Sequence, residues 1–531
     1  MRLTSTQLRL LVVFLFLVTD NASFFRHLVQ VYPLTAANGA FLISLVLGLG
    51  AFTFLFLTLI SFGRLLRPVL AVLLIIAAAA AHFMDQYNVV IDHNMISNLV
   101  QTDLNEASDL FNLPLVLRVL LLGVLPAIAV CCWPLERPSW QRALWRHSRD
   151  AIISLVLILG LVLGFSRNYA SFFREHKPLR SYANPTHLAY SLGKYLGKRF
   201  SAGAQSVKSL GLDAHIPATD QDRELIILVV GEAMRADHFG LNGYARDTTP
   251  LLRKNGAISF TQMYSSGTST AYSVPCMFSN FPRELFSESK GASNENLLDV
   301  LQHAGIHVLW RDNNSDSKGV ALRVPYQDFK TPAKNPVCES ECRDEGMLAG
   351  LQGYIDSQRA GDIVIVLHQM GNHGPAYYKR FPPAFERFTP TCRTNQLEEC
   401  SNEEIVNTYD NIVLYTDYFL DKVIALLKQN DQRFETAMVY MSDHGESLGE
   451  YGVYLHGLPY AMAPESQKHI AAAMWFGQRY AVDRDKLRAK AEVRYSHANY
   501  FHTVLGLVEM ETSVYDKRLD ILTDCHLPEG R

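Results

Sequence analysis

The chain has 531 residues, 48% of them in the hydrophobic set, and a formal net charge of −3. Its length exceeds one ordinary domain of roughly 100–200 residues, and the charge offers no global basicity for nucleic-acid binding. The composition averages two unlike halves: long apolar blocks dominate before about residue 173, and after about residue 221 the texture is that of a soluble α/β protein.

In chain order, residues 10–18 come first, a short apolar run with Asp20 close behind. A cleaved signal peptide is one reading, because Arg2 and Arg9 precede a short core; retention as a first membrane helix is the expectation. Residues 40–63 carry no charge, and 68–84, 113–133 and 151–165 read the same way, with Arg118 near one end of the third. Such blocks approach or exceed the roughly 20 residues that cross a bilayer, and Arg118 is expected to snorkel to the interface. Arg64 and Arg67 lie between the second and third blocks, and Arg137, Arg142, Arg146 and Arg149 between the fourth and fifth. Those loops are assigned to the cytoplasm by the positive-inside rule, which puts everything after the fifth block on the other side.

The stretch 166–220 interleaves Tyr169, Phe172, Phe173, Tyr182, Tyr190, Tyr195 and Phe200 with Arg167, Arg174, Lys177, Arg180, Lys194, Lys198 and Arg199. Rings and basic groups both favour the lipid–water boundary, although a solvated tether would share the composition. The expected division is a transmembrane domain of five helices at 1–173, an interfacial bridging linker at 174–220 and an exported domain at 221–531. Six cysteines fall in the exported half, and their spacing makes Cys338–Cys342 and Cys392–Cys400 candidate loop disulfides in an oxidising compartment. A zinc–thiolate site is the alternative, but no CxxC pair supports it.

Beyond the linker, strand-like runs at 225–230, 307–310, 363–367, 436–441 and 470–476 alternate with helical stretches, the pattern of a largely parallel sheet covered by helices. Ligands of such sheets gather beyond the carboxyl ends of the strands. The first run leads into Gly231-Glu232, the second into "RDNNSDSKG", the third into "HQMGNHG" with His368 and His373, and the fourth into Asp443-His444. Asp and Gly are ordinary strand exits, but four of five runs releasing metal- or phosphate-binding groups at one end is not an ordinary coincidence. Glu232, Asp443 and His444 make an O/O/N set suited to Zn²⁺ or another divalent metal, with a position left for a nucleophile or substrate. In "SSGTSTAYSVPC", Gly267 allows a tight turn and Thr268-Ser269-Thr270 precedes an expected helix. A hydroxyl there is either an N-cap or a nucleophile activated by a metal.

The stretches "VVGEAMRADHFGLNGYARDTTP", "SSGTSTAYSVPCMFS", "WRDNNSDSKG", "LHQMGNHGPAYYKR" and "SDHGESLGEYGVYLHG" closely resemble the lipid A phosphoethanolamine transferases, the family that includes the mobile colistin-resistance enzymes. The resemblance spans nearly the whole chain. It implies an α-helical transmembrane domain plus an α/β alkaline phosphatase/sulfatase-like periplasmic domain, anchored in the inner membrane as a multi-pass protein. By the same resemblance, Glu232, Thr270, Asp443 and His444 surround a catalytic zinc, with Thr270 as nucleophile. His373 and His456 handle the phosphoryl group or a second metal, and Ser315 and Lys318 contact substrate phosphate. Asn98, Thr102 and Glu106, four residues apart and on one face if helical, match the pattern that binds the ethanolamine headgroup; without the resemblance, a solvated acidic loop would be preferred.

One departure stands out. The family commonly has a cysteine just before "GTST", bonded to the cysteine of "SVPC"; here Ser266 occupies that place. Either the nucleophile loop is less rigid, or Cys276 pairs elsewhere, for example with Cys525. The resemblance implies transfer of phosphoethanolamine from phosphatidylethanolamine to a phosphate of lipid A, a phosphotransferase reaction that leaves diacylglycerol and gives polymyxin resistance. It requires the membrane and both lipids but no obligate protein partner and no nucleic acid. Two alternatives stay open: a phosphoethanolamine or phosphoglycerol transferase or hydrolase of the same superfamily acting on another substrate, such as a glycan acceptor, or a catalytically silent membrane sensor that binds lipid headgroups. No C/S-x-P-x-R motif points to a sulfatase.

Overall fold

The computed structural model describes residues 2–101, 110–175, 177–201 and 207–527. Two compact units result: Met1–Ile96 with Phe111–Gly197 form one, and Lys198–Arg531 belongs to the other. In the first unit, Asn38–Ile60, Gly63–Tyr87, Leu113–Cys132 and Trp140–Gly164 are each long and apolar enough to span a bilayer. A fifth span is available if the pair Ser5–Thr19 and Ala22–Val31, bent by 60°, counts as one. The first of the pair opens on a capping box between Thr4 and Gln7. It stops where the Asn21 side chain donates to the Phe16 carbonyl (2.9 Å) and to the Asn184 carbonyl (2.6 Å), taking over one of the last helical acceptors.

Arg118 is partly buried and paired. Its guanidinium donates to Asp85 Oδ2 at 2.7 Å and to the Thr19 carbonyl at 2.8 Å. Ion pairing within the helix packing offsets the charge. Arg9 is buried, lies 3.7 Å from Asp150 and donates to the Ser61 carbonyl. Asp150 also accepts from the Thr6 hydroxyl.

In the second unit, seven strands form one sheet: β1 (Glu224–Gly231), β2 (Ile258–Ser259), β3 (His307–Asp312), β4 (Tyr326–Asp328), β5 (Ile363–His368), β6 (Glu435–Ser442) and β7 (Ala472–Phe476). Their spatial order is β2-β7-β6-β1-β5-β3-β4. The central strands pair in parallel and read as continuous apolar runs because both faces are covered. β1 is buried along its whole length. The last expected run divides: His469–Ile470 joins a small sheet, and β7 pairs antiparallel with β6. One face packs against the helix Asn402–Asn430, which starts with a capping box between Ser401 and Glu404; the other packs on Leu297–His303 and Tyr500–Leu507. Cys338 pairs with Cys342 and Cys392 with Cys400, whereas Cys276 and Cys525 are both free and buried. Cys276 therefore does not pair with Cys525.

Carboxylates gather at both ends of the central strands, with different consequences. At the amino end Glu224 is buried, and its backbone N–H donates to Asp362 Oδ1 at 3.1 Å. Burial, then the charge of Asp362, pushes the Glu224 carboxyl well above its usual range. The folded state then holds a proton that the unfolded chain releases above about pH 4.3, so this group's contribution falls as pH rises, by up to about 1.4 kcal/mol per unit. Glu224→Gln should raise the melting temperature of the full-length protein at pH 8 and give a smaller gain at pH 5. Equal gains at the two pH values would show that the carboxyl does not carry the cost.

Candidate functional site

The register of β1 and β6 builds the centre of the site. Gly231 pairs with Ser442, so the next residues, Glu232 and Asp443, leave the sheet side by side. The Asp443 N–H donates to the Gly231 carbonyl at 2.9 Å, and Asp443 Oδ1 accepts from Ala233 N (3.1 Å) and His444 N (2.7 Å). Gly445 lets the chain turn away, because a Cβ there would stand 2.1 Å from the Ser466 carbonyl oxygen. Ala233 adopts a left-handed φ of 53°. Non-glycine residues store strain there, a common mark of functional sites.

Thr270 arrives from a loop. It is the first residue of the helix Thr270–Met277, whose N-cap is Ser269; Thr270 is not the cap. Its Oγ1 donates to Glu232 Oε2 at 2.9 Å and lies 3.3 Å from His444 Nε2. His444 Nε2 is 3.2 Å from Glu232 Oε1 and 3.4 Å from Asp443 Oδ2. The other ring nitrogen, Nδ1, is 2.8 Å from the Gly445 carbonyl and must donate to it, which leaves the Nε2 lone pair facing the two carboxylates.

Glu232, Asp443 and His444 are fully buried. Each offers one ligand atom, and these atoms lie within 4.8 Å of one another. Glu232 Oε1 and Asp443 Oδ2 have no hydrogen-bond donor among the described residues. Two buried anionic oxygens facing one point, with an imidazole lone pair and a hydroxyl, are a poor arrangement for the bare protein and a good one for a divalent cation. The titration behaviour agrees. Burial and then the Glu232 charge push Asp443 up to about 6. Burial would lower His444, but Asp443 and Glu232 drive it up to about 10. Burial would raise Glu232, but His444 holds it well below the carboxylate range.

A second group shares Glu232. Its ligand atoms and those of His373 and His456 lie within 4.8 Å of one another. The His456 ring is 4.2 Å from the His444 ring and 5.5 Å from that of His373, centroid to centroid. Burial lowers His373 to about 3, so its ring is neutral. Lys318 Nζ donates to Ser315 Oγ (2.6 Å) and to the Ser315 carbonyl (3.0 Å), in a turn where Asp316 and Lys318 both have positive φ. Asn98 lies in the helix His93–Gln101, while Thr102 and Glu106 lie outside the described residues.

Three further residues went unnoticed in the sequence. Asn314 Nδ2 donates to Glu232 Oε2 at 3.0 Å and to the Gln369 carbonyl at 2.7 Å. Glu446 sets His456, with Nδ1 3.3 Å from each of its oxygens. His497 accepts from Ser266 N at 3.1 Å and donates from Nε2 to the Ser442 carbonyl at 2.9 Å. Asn314 and Glu446 stand inside stretches already singled out, "RDNNSDSKG" and "SDHGE". His497 sits in "RYSHANY", which carries no signal.

Comparison with known proteins follows this geometry. Residues 224–510 match the Sulfatase family, and residues 49–200 match the family described as Phosphoethanolamine transferase EptA/EptB. The chain is 41% identical to phosphoethanolamine transferase EptA of Escherichia coli K12 over 530 residues, covering 97% of this chain and 96% of that protein. It is 43% identical to phosphatidylethanolamine transferase Mcr-1 of Escherichia coli, covering 87% and 88%. The integral membrane lipooligosaccharide phosphoethanolamine transferase A of Neisseria meningitidis superposes with a TM-score of 0.95 at 36% identity, covering 99% of this chain and all of that one.

The facing carboxylates generate a prediction that needs no turnover. Zinc should raise the melting temperature of the wild-type protein. Asp443→Asn should raise the melting temperature of the metal-free protein, by removing one of two opposed charges, and should abolish the zinc response. A zinc-induced shift of wild-type size in Asp443→Asn would remove Asp443 from the ligand set.

Proposed function

The chain belongs to the EptA/Mcr-like family of phosphoethanolamine transferases, and from that membership we propose that it transfers phosphoethanolamine from phosphatidylethanolamine to a phosphate of lipid A. It is a multi-pass membrane protein with a periplasmic, sulfatase-like catalytic domain. The reading places it in the inner membrane, with 1–173 as the transmembrane domain, 174–220 as the interfacial bridge and 221–531 as the catalytic domain. The observation that carries the proposal is the Thr270 hydroxyl, 2.9 Å from Glu232 and 3.3 Å from His444, beside two unpartnered carboxylate oxygens.

Glu232, Thr270, Asp443 and His444 would hold a zinc ion, which when bound lowers the pKa of the threonine hydroxyl and offsets charge on the phosphoryl group. Thr270 Oγ1 attacks the donor phosphorus. The phosphorus–oxygen bond to the glycerol breaks, diacylglycerol leaves with a proton, and phosphoethanolamine remains on the threonine. A phosphate oxygen of lipid A then attacks the same phosphorus and restores the hydroxyl. Glu232 Oε2 accepts the Thr270 hydrogen bond and so turns the lone pairs of Oγ1 outward. Glu446 fixes the His456 ring so that it can bind the phosphoryl group or pass a proton, and His373, neutral by burial, offers a lone pair beside it. Lys318, held by Ser315, supplies positive charge for the transition state. Asn98, Thr102 and Glu106 are proposed to hold the donor headgroup, with Glu106 against the ammonium.

A product with an added ethanolamine cation would attract cationic peptides less, hence resistance to polymyxin. Mass spectrometry of lipid A from cells with and without the protein tests the whole reading: the protein should add the mass of one phosphoethanolamine, and unchanged lipid A would refute it. Thr270→Ala should abolish transfer with the fold retained, because only the attacking oxygen is lost. Thr268→Ala should keep most activity and cost about 1 kcal/mol of stability, since its hydroxyl donates to the Leu458 carbonyl at 2.6 Å. Glu106→Gln should slow use of phosphatidylethanolamine by about ten- to a hundredfold, the value of one charge-assisted contact, at unchanged zinc content. Wild-type rates in Glu106→Gln would detach that face from the donor.

A further inference from the structure

Two tyrosines flank the chain that leads into Thr270, and each carries an arginine on its face. The Arg494 guanidinium lies 3.8 Å from the ring centroid of Tyr264, and Tyr264 stacks on His469 at 4.9 Å and 17°. The Arg283 guanidinium lies 3.7 Å from the ring centroid of Tyr460, with Lys468 Nζ 5.5 Å from the same ring. Both stacks attach to consecutive residues. Tyr264 is the cross-strand partner of His469. Ser265 accepts at its carbonyl from the Tyr460 hydroxyl (3.0 Å) and donates from its N–H to the Lys468 carbonyl (2.8 Å). The nucleophile candidate follows five residues later.

An arginine laid flat on an aromatic ring is held by the π face, while its in-plane donors stay directed outward. Arg494 is exposed, and among the described residues its side chain has no hydrogen-bonded or carboxylate partner. Glu284 lies 3.9 Å from Arg283, which is beyond hydrogen-bond length. Lys468 is 3.3 Å from Glu465, so the two arginines are the cations left with open donors. Such a pair, braced on the two rings at the chain that leads into Thr270, suits a second anionic group on the substrate.

We propose that Arg283 and Arg494, braced on Tyr460 and Tyr264, bind a second phosphate of a phosphorylated glycolipid acceptor while its reacting phosphate lies at Thr270. The proposal rests on the lipid A reading above and adds to it a subsite that selects acceptors by their charge. The tyrosine rings hold the two guanidinium planes in place.

The test uses the full-length protein in detergent, with a fluorescent phosphatidylethanolamine as donor and either bisphosphorylated or monophosphorylated lipid A as acceptor. The double variant R283Q/R494Q should raise KM for the bisphosphorylated acceptor about tenfold, the scale of one charge-assisted hydrogen bond, with kcat held within about twofold. Its KM for the monophosphorylated acceptor should move by less than about twofold on the same scale. If the double variant melts early, R494Q alone, at an exposed side chain, is read in the same way. An equal rise in KM for both acceptors, or no rise for either, would overturn the subsite while leaving the transferase reading standing. A wild-type chain that modifies neither acceptor would overturn the transferase reading and the subsite with it.

Discussion

The arrangement of the catalytic half depends on two carboxylate oxygens that have no hydrogen-bond donor among the described residues. Glu232 Oε1 and Asp443 Oδ2 are buried and unpartnered, and they stand next to each other because Gly231 and Ser442 are register partners on adjacent parallel strands. A slip of one residue between those strands would send one carboxylate to the opposite face of the sheet. That register is held by eight consecutive pairs, from Glu224–Glu435 to Gly231–Ser442, so the most hydrophobic part of the sequence positions its most polar site. The energetic cost of opposing the two anions is borne by the size of the surrounding core.

The membrane unit handles charge by the opposite means. Arg9 meets Asp150, and Arg118 meets Asp85. Each cation also donates to a backbone carbonyl, at Ser61 and Thr19 respectively, close to a helix end. Those carbonyls belong to the last turns, where acceptors lack intrahelical partners. A basic residue can therefore complete a helix terminus and an ion pair together.

Sequence patterns exposed much of this because the relevant signals are local. The apolar blocks, the strand runs and the groups released at their carboxyl ends each occupy one continuous stretch, and all five runs appear as strands. The antiparallel direction of β7 was not legible, because an apolar run has the same composition in either direction. The bend after Thr19 depends on Asn21 reaching the Asn184 carbonyl, a partner 163 positions away. Asn314, Glu446 and His497 escaped notice for the same kind of reason. Each acts through a contact made only when separate segments meet, and nothing in a stretch such as "RYSHANY" announces it.

The surroundings of Ser266 show how non-covalent contacts hold the loop that carries Thr270. With a serine there, Cys276 stays free, yet the loop is held at several points. The Ser266 N–H donates to His497 Nδ1, and His497 Nε2 donates to the Ser442 carbonyl, so the loop carrying Thr270 is tied to the strand end that carries Asp443. Burial pushes His497 down to about 4, which keeps it neutral and fixes one nitrogen as acceptor and the other as donor. Ser265 Oγ donates to the Gly267 carbonyl at 2.6 Å, and the Gly457 N–H donates to the Thr268 carbonyl at 2.7 Å, next to His456. A disulfide would have joined the loop to its own helix. These hydrogen bonds join it to the elements that supply His456 and Asp443, which are the elements relative to which the Thr270 oxygen must be positioned.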